Sequence, residues 1–146
     1  MATVPPEQQP DLRAHWQDRV PYNKACGMEI TRWDGDGVTI EMPDADWLMN
    51  GLGMFHGGAV AALCDTAASG AVMAGHAPGR GRLSTISMTV QYLAPATGRL
   101  RAEARCTKRG RQVSFAEVTV TNPDGNPVAR AIVSVTVAPL RSPRHG

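Results

Sequence analysis

Residues 57–74 read GGAVAALCDTAASGAVMA. The stretch is Ala-rich, contains no Pro, and is long enough for about five helical turns. It is apolar nearly all round, so the helix it predicts belongs inside a fold. Gly75 and Pro78-Gly79 supply the stop. One carboxylate, Asp65, sits in its middle.

The flanks supply what would bury such a helix. Beyond it, residues 83–93 alternate, with Ile86, Met88, Val90 and Tyr92 set against Thr85, Ser87, Thr89 and Gln91. Further strands are expected over 99–107, 112–121 and 128–137, broken by Pro95 and Gly98, by Lys108-Arg109-Gly110-Arg111, and by Asn122-Pro123-Asp124-Gly125-Asn126. Before the helix, residues 26–33 and 37–42 flank Asp34-Gly35-Asp36-Gly37, a hairpin signal. Residues 11–19 predict a short helix that Pro21 stops, and 43–55 read as irregular. Helix, two strands, long buried helix, then a run of strands is an α+β order: an antiparallel sheet on one central helix.

Size and composition agree. The chain has 146 residues, 42% hydrophobic and 19% charged, which suits one domain with a real core. Aromatics are only 5%, so Ala, Val, Ile, Leu and Met must build that core. No run is read as a membrane span, and no secretory leader is visible in MATVPPEQQP. Cys26, Cys64 and Cys106 are odd in number and form no CxxC, which reads as reduced thiols in a cytoplasmic protein. The four histidines are too scattered to suggest a metal site.

Net charge is +2 but unevenly placed. Eight of the basic residues fall between Arg80 and Arg111 with one acid, Glu103, whereas the first 46 residues hold nine of the thirteen acids. A local basic surface fits a phosphate-bearing small molecule better than a long nucleic acid, although Arg and Lys also simply blunt strand edges.

The chemistry concentrates in Asn50-Gly51-Leu52-Gly53-Met54-Phe55-His56-Gly57-Gly58 and Asp65. A Gly-Gly pair at a helix start lets another group approach N–H donors that have no intrahelical partner, a natural oxyanion site. A carboxylate inside an apolar helix is costly unless it is paired or lines a cavity, and it suits a general base. The plainer readings are packing glycines, a paired Asp65, and a His56 that only holds the turn.

The pattern N-G-x-G-x-x-H-G-G-x(6)-D resembles the hotdog-fold acyl-CoA thioesterases of the PaaI (phenylacetate-degradation) type. Tyr92-Leu93-Ala94-Pro95-Ala96, Lys108-Arg109-Gly110-Arg111, Asp124-Gly125 and Val128-Ala129-Arg130-Ala131 are softer matches. The resemblance implies a hotdog fold, a curved antiparallel sheet wrapped around one long helix. It divides the chain into an N-terminal extension with a short helix (1–20), a hotdog domain (21–138) and a flexible tail (139–146).

It further implies hydrolysis of an acyl-CoA thioester, with no cofactor beyond the coenzyme A of the substrate. Gly57 would supply the N–H that polarises the carbonyl, and Asn50 would help hold the carbonyl or the attacking water. Asp65 would be general base or nucleophile. Thr85 and Ser69 fall at hydroxyl positions that help place water. His56 is a further catalytic candidate unless it only holds the turn, Gly58 belongs to the substrate-binding surface, and Phe55 either shapes the acyl pocket or only covers the helix start. Arg80, Arg82, Lys108, Arg109 and Arg111 are candidates for the coenzyme A phosphates. A non-catalytic acyl-CoA or hydrophobic-ligand binding protein is the alternative on the same fold. A Cys64 nucleophile lacks a convincing His partner.

Gly57 and Asp65 are eight residues apart, about 12 Å along one helix axis. One helix cannot easily bring both to one carbonyl, whereas two helices related by a twofold axis can. The expected unit is therefore a homodimer, or a dimer of dimers, with neither nucleic acid nor membrane as partner.

Overall fold

Helix α3 forms over Gly57–Ala74, the boundaries set by the Gly-Gly start and the Gly75 stop. The computed structural model describes residues 12–35, 37–76 and 80–139. Eleven of the eighteen helix residues are buried. With a mean hydropathy of 1.3 over its length, α3 also meets the measure of a membrane span. That corrects the expectation that no run comes near one. Here, however, the rest of the fold supplies the apolar surroundings, and 61% of the helix is buried within it.

Six strands surround it: β1 (Glu29–Trp33), β2 (Gly37–Met42), β3 (Arg80–Tyr92), β4 (Leu100–Arg109), β5 (Val113–Thr121) and β6 (Pro127–Pro139). They form one antiparallel sheet in the order β1-β2-β4-β5-β6-β3. Helix α3 thus connects β2, near one edge, to β3, which forms the other edge. Val38, Ile40 and Met42 of β2, Leu100 and Ala102 of β4, and Val118 and Val120 of β5 build the core with Leu63 and Val72 of the helix. Alanines at 102, 104 and 116 keep the sheet side thin where α3 packs on β4 and β5.

Two expectations need correction. Pro21 does not merely stop the first helix. The chain runs through α1 (Leu12–Ala14) and a π-helical turn (His15–Arg19), and Pro21 then opens α2 (Pro21–Ala25). Proline is well suited to a first helical position, where its missing N–H is no loss. The first strand accordingly begins at Glu29, not at residue 26.

The second correction concerns β3. Its register against β6 slips between Thr85 and Ser87, leaving Ile86 as a bulged residue. A bulge reverses the in–out alternation on either side of it. Thr85 therefore points to α3 along with Met88, Val90 and Tyr92, not away from them: its hydroxyl reaches Asp65, and that of Tyr92 reaches Gly57. The expected hairpin turn residue Asp36, the Pro78-Gly79 stop, and the termini 1–11 and 140–146 lie outside the described residues.

Candidate active site

The start of α3 is arranged around a single amide. His56 is the N-cap, and its Nδ1 accepts the Gly58 N–H at 2.8 Å. The His56 carbonyl accepts the N–H groups of Ala59 (2.9 Å) and Val60 (3.2 Å). Only the Gly57 N–H is left without a partner among the described residues. Helix termini leave several such donors; here three of the first four are already satisfied. His56 thus caps the helix. Gly58 must be small, because a Cβ there would stand 2.9 Å from His56 Nδ1.

Tyr92 covers this terminus. Its hydroxyl donates to the Gly57 carbonyl at 2.7 Å, although 56% of the residue is exposed. Burial, and then the neighbouring Cys64, raise its phenol above the ordinary tyrosine range, which keeps it a donor. The sequence reading missed this contact. Its position in the Tyr92–Ala96 match, with an aromatic hydroxyl facing the helix, was the available signal. Asn50 uses its side-chain oxygen within its own loop. Its Oδ1 accepts from Leu52 N (2.8 Å) and Met54 N (3.2 Å), which folds the 50–54 loop. Its Nδ2 has no partner among the described residues. Phe55 is buried in the core with its N–H on the Ala96 carbonyl at 2.9 Å, away from the Asp65 cavity.

Two turns further along α3, Asp65 is half-buried and accepts the Thr85 hydroxyl on Oδ1 at 2.6 Å. Asp65, Ser69 and Thr85 line one cavity of about 210 Å³ with Trp16, Val20, Asn23, Thr66 and Leu83. The structure therefore brings three of the candidate residues together. Ser69 is buried, and its hydroxyl has no partner among the described residues. Cys64 lies next in sequence but faces the core, fully buried. Burial, with Asp65 a lesser cause, pushes its thiol up to about 12, so it is not the thiolate a nucleophile requires.

The basic residues divide into two groups. Arg99 and Arg101 pair with Glu29, Glu41 and Glu103, and Arg105 faces Glu117 at 3.9 Å. The registers carry Arg80, Arg82, Lys108, Arg109 and Arg111 to one end of the sheet, next to the C-terminus of α3. Arg109 already has a task there: its Nη1 donates to the Val72 carbonyl at 2.6 Å, at the negative end of the helix.

A long helix laid on a six-stranded antiparallel sheet is the hotdog architecture seen in thioesterase-superfamily structures. A thioesterase of Haemophilus influenzae superimposes with a TM-score of 0.82 over 99% of this chain and all of its own, at 20% identity. AziG of S. sahachiroi does so at 0.76, with 28% identity over 82% of this chain and 98% of its own. A Halobacterium salinarum protein named "Putative esterase" is 37% identical over 94 residues, 62% of each chain. The match thus spans less than two thirds of that relative's length.

Residues 11–137 match DUF4442, a family described as a domain of unknown function. The chain belongs to that family.

Proposed function

We propose that the protein hydrolyses an acyl-CoA thioester to a carboxylate and free coenzyme A, as the PaaI-type thioesterases it resembles do. The observation that carries the reading is the Asp65–Thr85 pair on the wall of a cavity. Asp65 removes a proton from water as the water oxygen bonds to the carbonyl carbon. The negative charge passes to the carbonyl oxygen, where a Gly57 N–H receives it. Collapse of that intermediate breaks the C–S bond, and the thiolate leaves to take up a proton. A direct attack by the Asp65 carboxylate, giving an anhydride that water then opens, uses the same residues. Thr85 spends its hydroxyl hydrogen on Asp65, so it orients the carboxylate and leaves its oxygen to accept from water.

Gly57 and Asp65 of one chain remain about 12 Å apart along α3, so the working site joins Gly57 of one protomer to Asp65 of a second. The thirteen-residue β3 supports such pairing, because it is an edge strand whose Ile86 and Tyr92 are exposed. Arg82, Lys108 and Arg111 are the candidates for the coenzyme A phosphates, with no resident cofactor required. A turnover screen of purified protein against CoA esters, with Asp65→Ala and Asp65→Asn as controls, tests the reading. Turnover should fall by at least about a hundredfold in both variants. Wild-type protein that binds CoA esters but turns none over would show a binding protein instead, and undiminished turnover in both variants would remove Asp65 from the reaction.

A further inference from the structure

The first 20 residues read as an extension outside the catalytic domain, yet part of that segment forms one side of the Asp65 cavity. Trp16 Nε1 donates to the carbonyl of Thr66 at 3.2 Å, the residue directly after Asp65. The Asn23 side chain closes the joint: Nδ2 donates to the Trp16 carbonyl (3.1 Å), and Oδ1 accepts the Thr66 hydroxyl (3.2 Å). Asn23 is only 4% exposed. The segment is therefore fastened to the helix turn that carries the carboxylate, and Trp16 and Val20 face Leu83 and Thr85 across the cavity.

We propose that this N-terminal segment builds the acyl compartment, with Trp16 and Val20 setting its depth, and that the compartment takes a short acyl chain or a single ring. The inference rests on the thioesterase reading above and names its substrate class. Trp16, Val20 and Leu83 supply its apolar walls, and Asp65, Ser69 and Thr85 its polar side. The polar groups of Asn23 and Thr66 are bonded to each other and to the Trp16 backbone, so an apolar chain beside them leaves no hydrogen bond unmade. A dry cavity of about 150 Å³ holds a benzene ring. The part of the compartment that one chain supplies is about 210 Å³, enough for a ring or about six carbons. Longer chains meet the indole.

The test measures hydrolysis of straight-chain CoA esters from acetyl to dodecanoyl, and of benzoyl-CoA, by wild type, Trp16→Ala, Trp16→Phe and Val20→Ala. Calorimetric binding of S-alkyl-CoA thioethers of the same lengths runs in parallel and needs no turnover. Wild type should favour the short and single-ring esters. Trp16→Ala should raise the kcat/KM ratio of octanoyl to butyryl ester about tenfold or more, Val20→Ala should move it the same way by less, and Trp16→Phe should stay near wild type. If Trp16→Ala fails to fold, Val20→Ala carries the test. A chain-length profile that neither Trp16→Ala nor Val20→Ala moves, in hydrolysis and in thioether binding, overturns the compartment and leaves the activity standing. No hydrolysis, with thioether affinities that these variants shift toward longer chains, upholds the compartment and removes the activity.

Discussion

Thr85 Oγ1 lies 2.6 Å from Asp65 Oδ1, and it gets there because Ile86 is bulged out of the β3–β6 ladder. The bond joins an edge strand to the central helix at the one carboxylate the helix carries. A hydrogen bond to a charged group is worth about 1.5–3 kcal/mol, and each 1.4 kcal/mol is about tenfold in rate. Thr85→Val keeps the shape and removes the donor, so kcat should fall by about ten- to a hundredfold with KM little changed. Thr85→Ser should restore most of it. Steady-state kinetics of the three proteins decide the matter, and equal kcat in Thr85→Val and wild type would deny Thr85 any part in orienting Asp65.

That bond also marks where the sequence stops being legible. Residues 57–74 disclose α3 because glycine at both ends and unbroken apolarity within permit little else. The strands follow from alternation bounded by Gly and Pro. A bulge leaves no such mark: Leu83 to Tyr92 alternates smoothly on paper, and nothing local shows the phase reversing at Ile86. Only pairing with β6 reveals it. Trp16 and Asn23 were hidden for a related reason. Their bonds to Thr66 span 50 and 43 residues of sequence, and no short-range pattern encodes a contact that distant. The Gly57 N–H and Asp65, by contrast, are set by position along a single helix and could be named beforehand.

His56 can be tested as a cap against an acid–base role. Its Nδ1 satisfies the Gly58 N–H, a function that Asn performs at least as well at an N-cap. His56→Ala should cost about 1 kcal/mol of stability, seen as a lower thermal midpoint. His56→Asn should recover both the midpoint and the turnover. A catalytic imidazole would give the opposite result, with Asn as inactive as Ala while the fold remains stable.

Cys64 offers a pH dependence with a definite sign. Its folded thiol is pushed up to about 12 from an ordinary 9.0. Below pH 9 the thiol is protonated in folded and unfolded chains alike, and its contribution is fully present. Above pH 9 the unfolded chain releases the proton first, so stability declines with rising pH until the folded thiol titrates near 12. Cys64→Ala should therefore flatten the alkaline limb of stability between those values in urea titrations. It should also keep turnover, since a thiol held protonated contributes no nucleophile. Loss of turnover in a folded Cys64→Ala protein would reopen the thiol as the reacting group.

Lys108 and Arg109, expected in a turn, are instead the last two residues of β4, and they should fail in different ways. Arg109 Nη1 donates to the Val72 carbonyl at 2.6 Å, a charge-assisted bond at the C-terminal end of α3, where positive charge is favoured. Its removal strands a carbonyl that the helix cannot satisfy, at a cost of about 1–3 kcal/mol. Arg109→Ala should thus lower the melting temperature by several degrees, about 2–4 °C per kcal/mol in a domain of this size. The Lys108 side chain is exposed and makes no bond among the described residues. Lys108→Ala should leave the melting temperature unchanged and raise KM for CoA esters, with acyl-pantetheine esters, which lack the nucleotide phosphates, unaffected. Thermal melts and KM values for the two ester types separate the roles. If Arg109→Ala melts like wild type while its KM rises for CoA esters alone, its guanidinium serves the phosphates and not the helix.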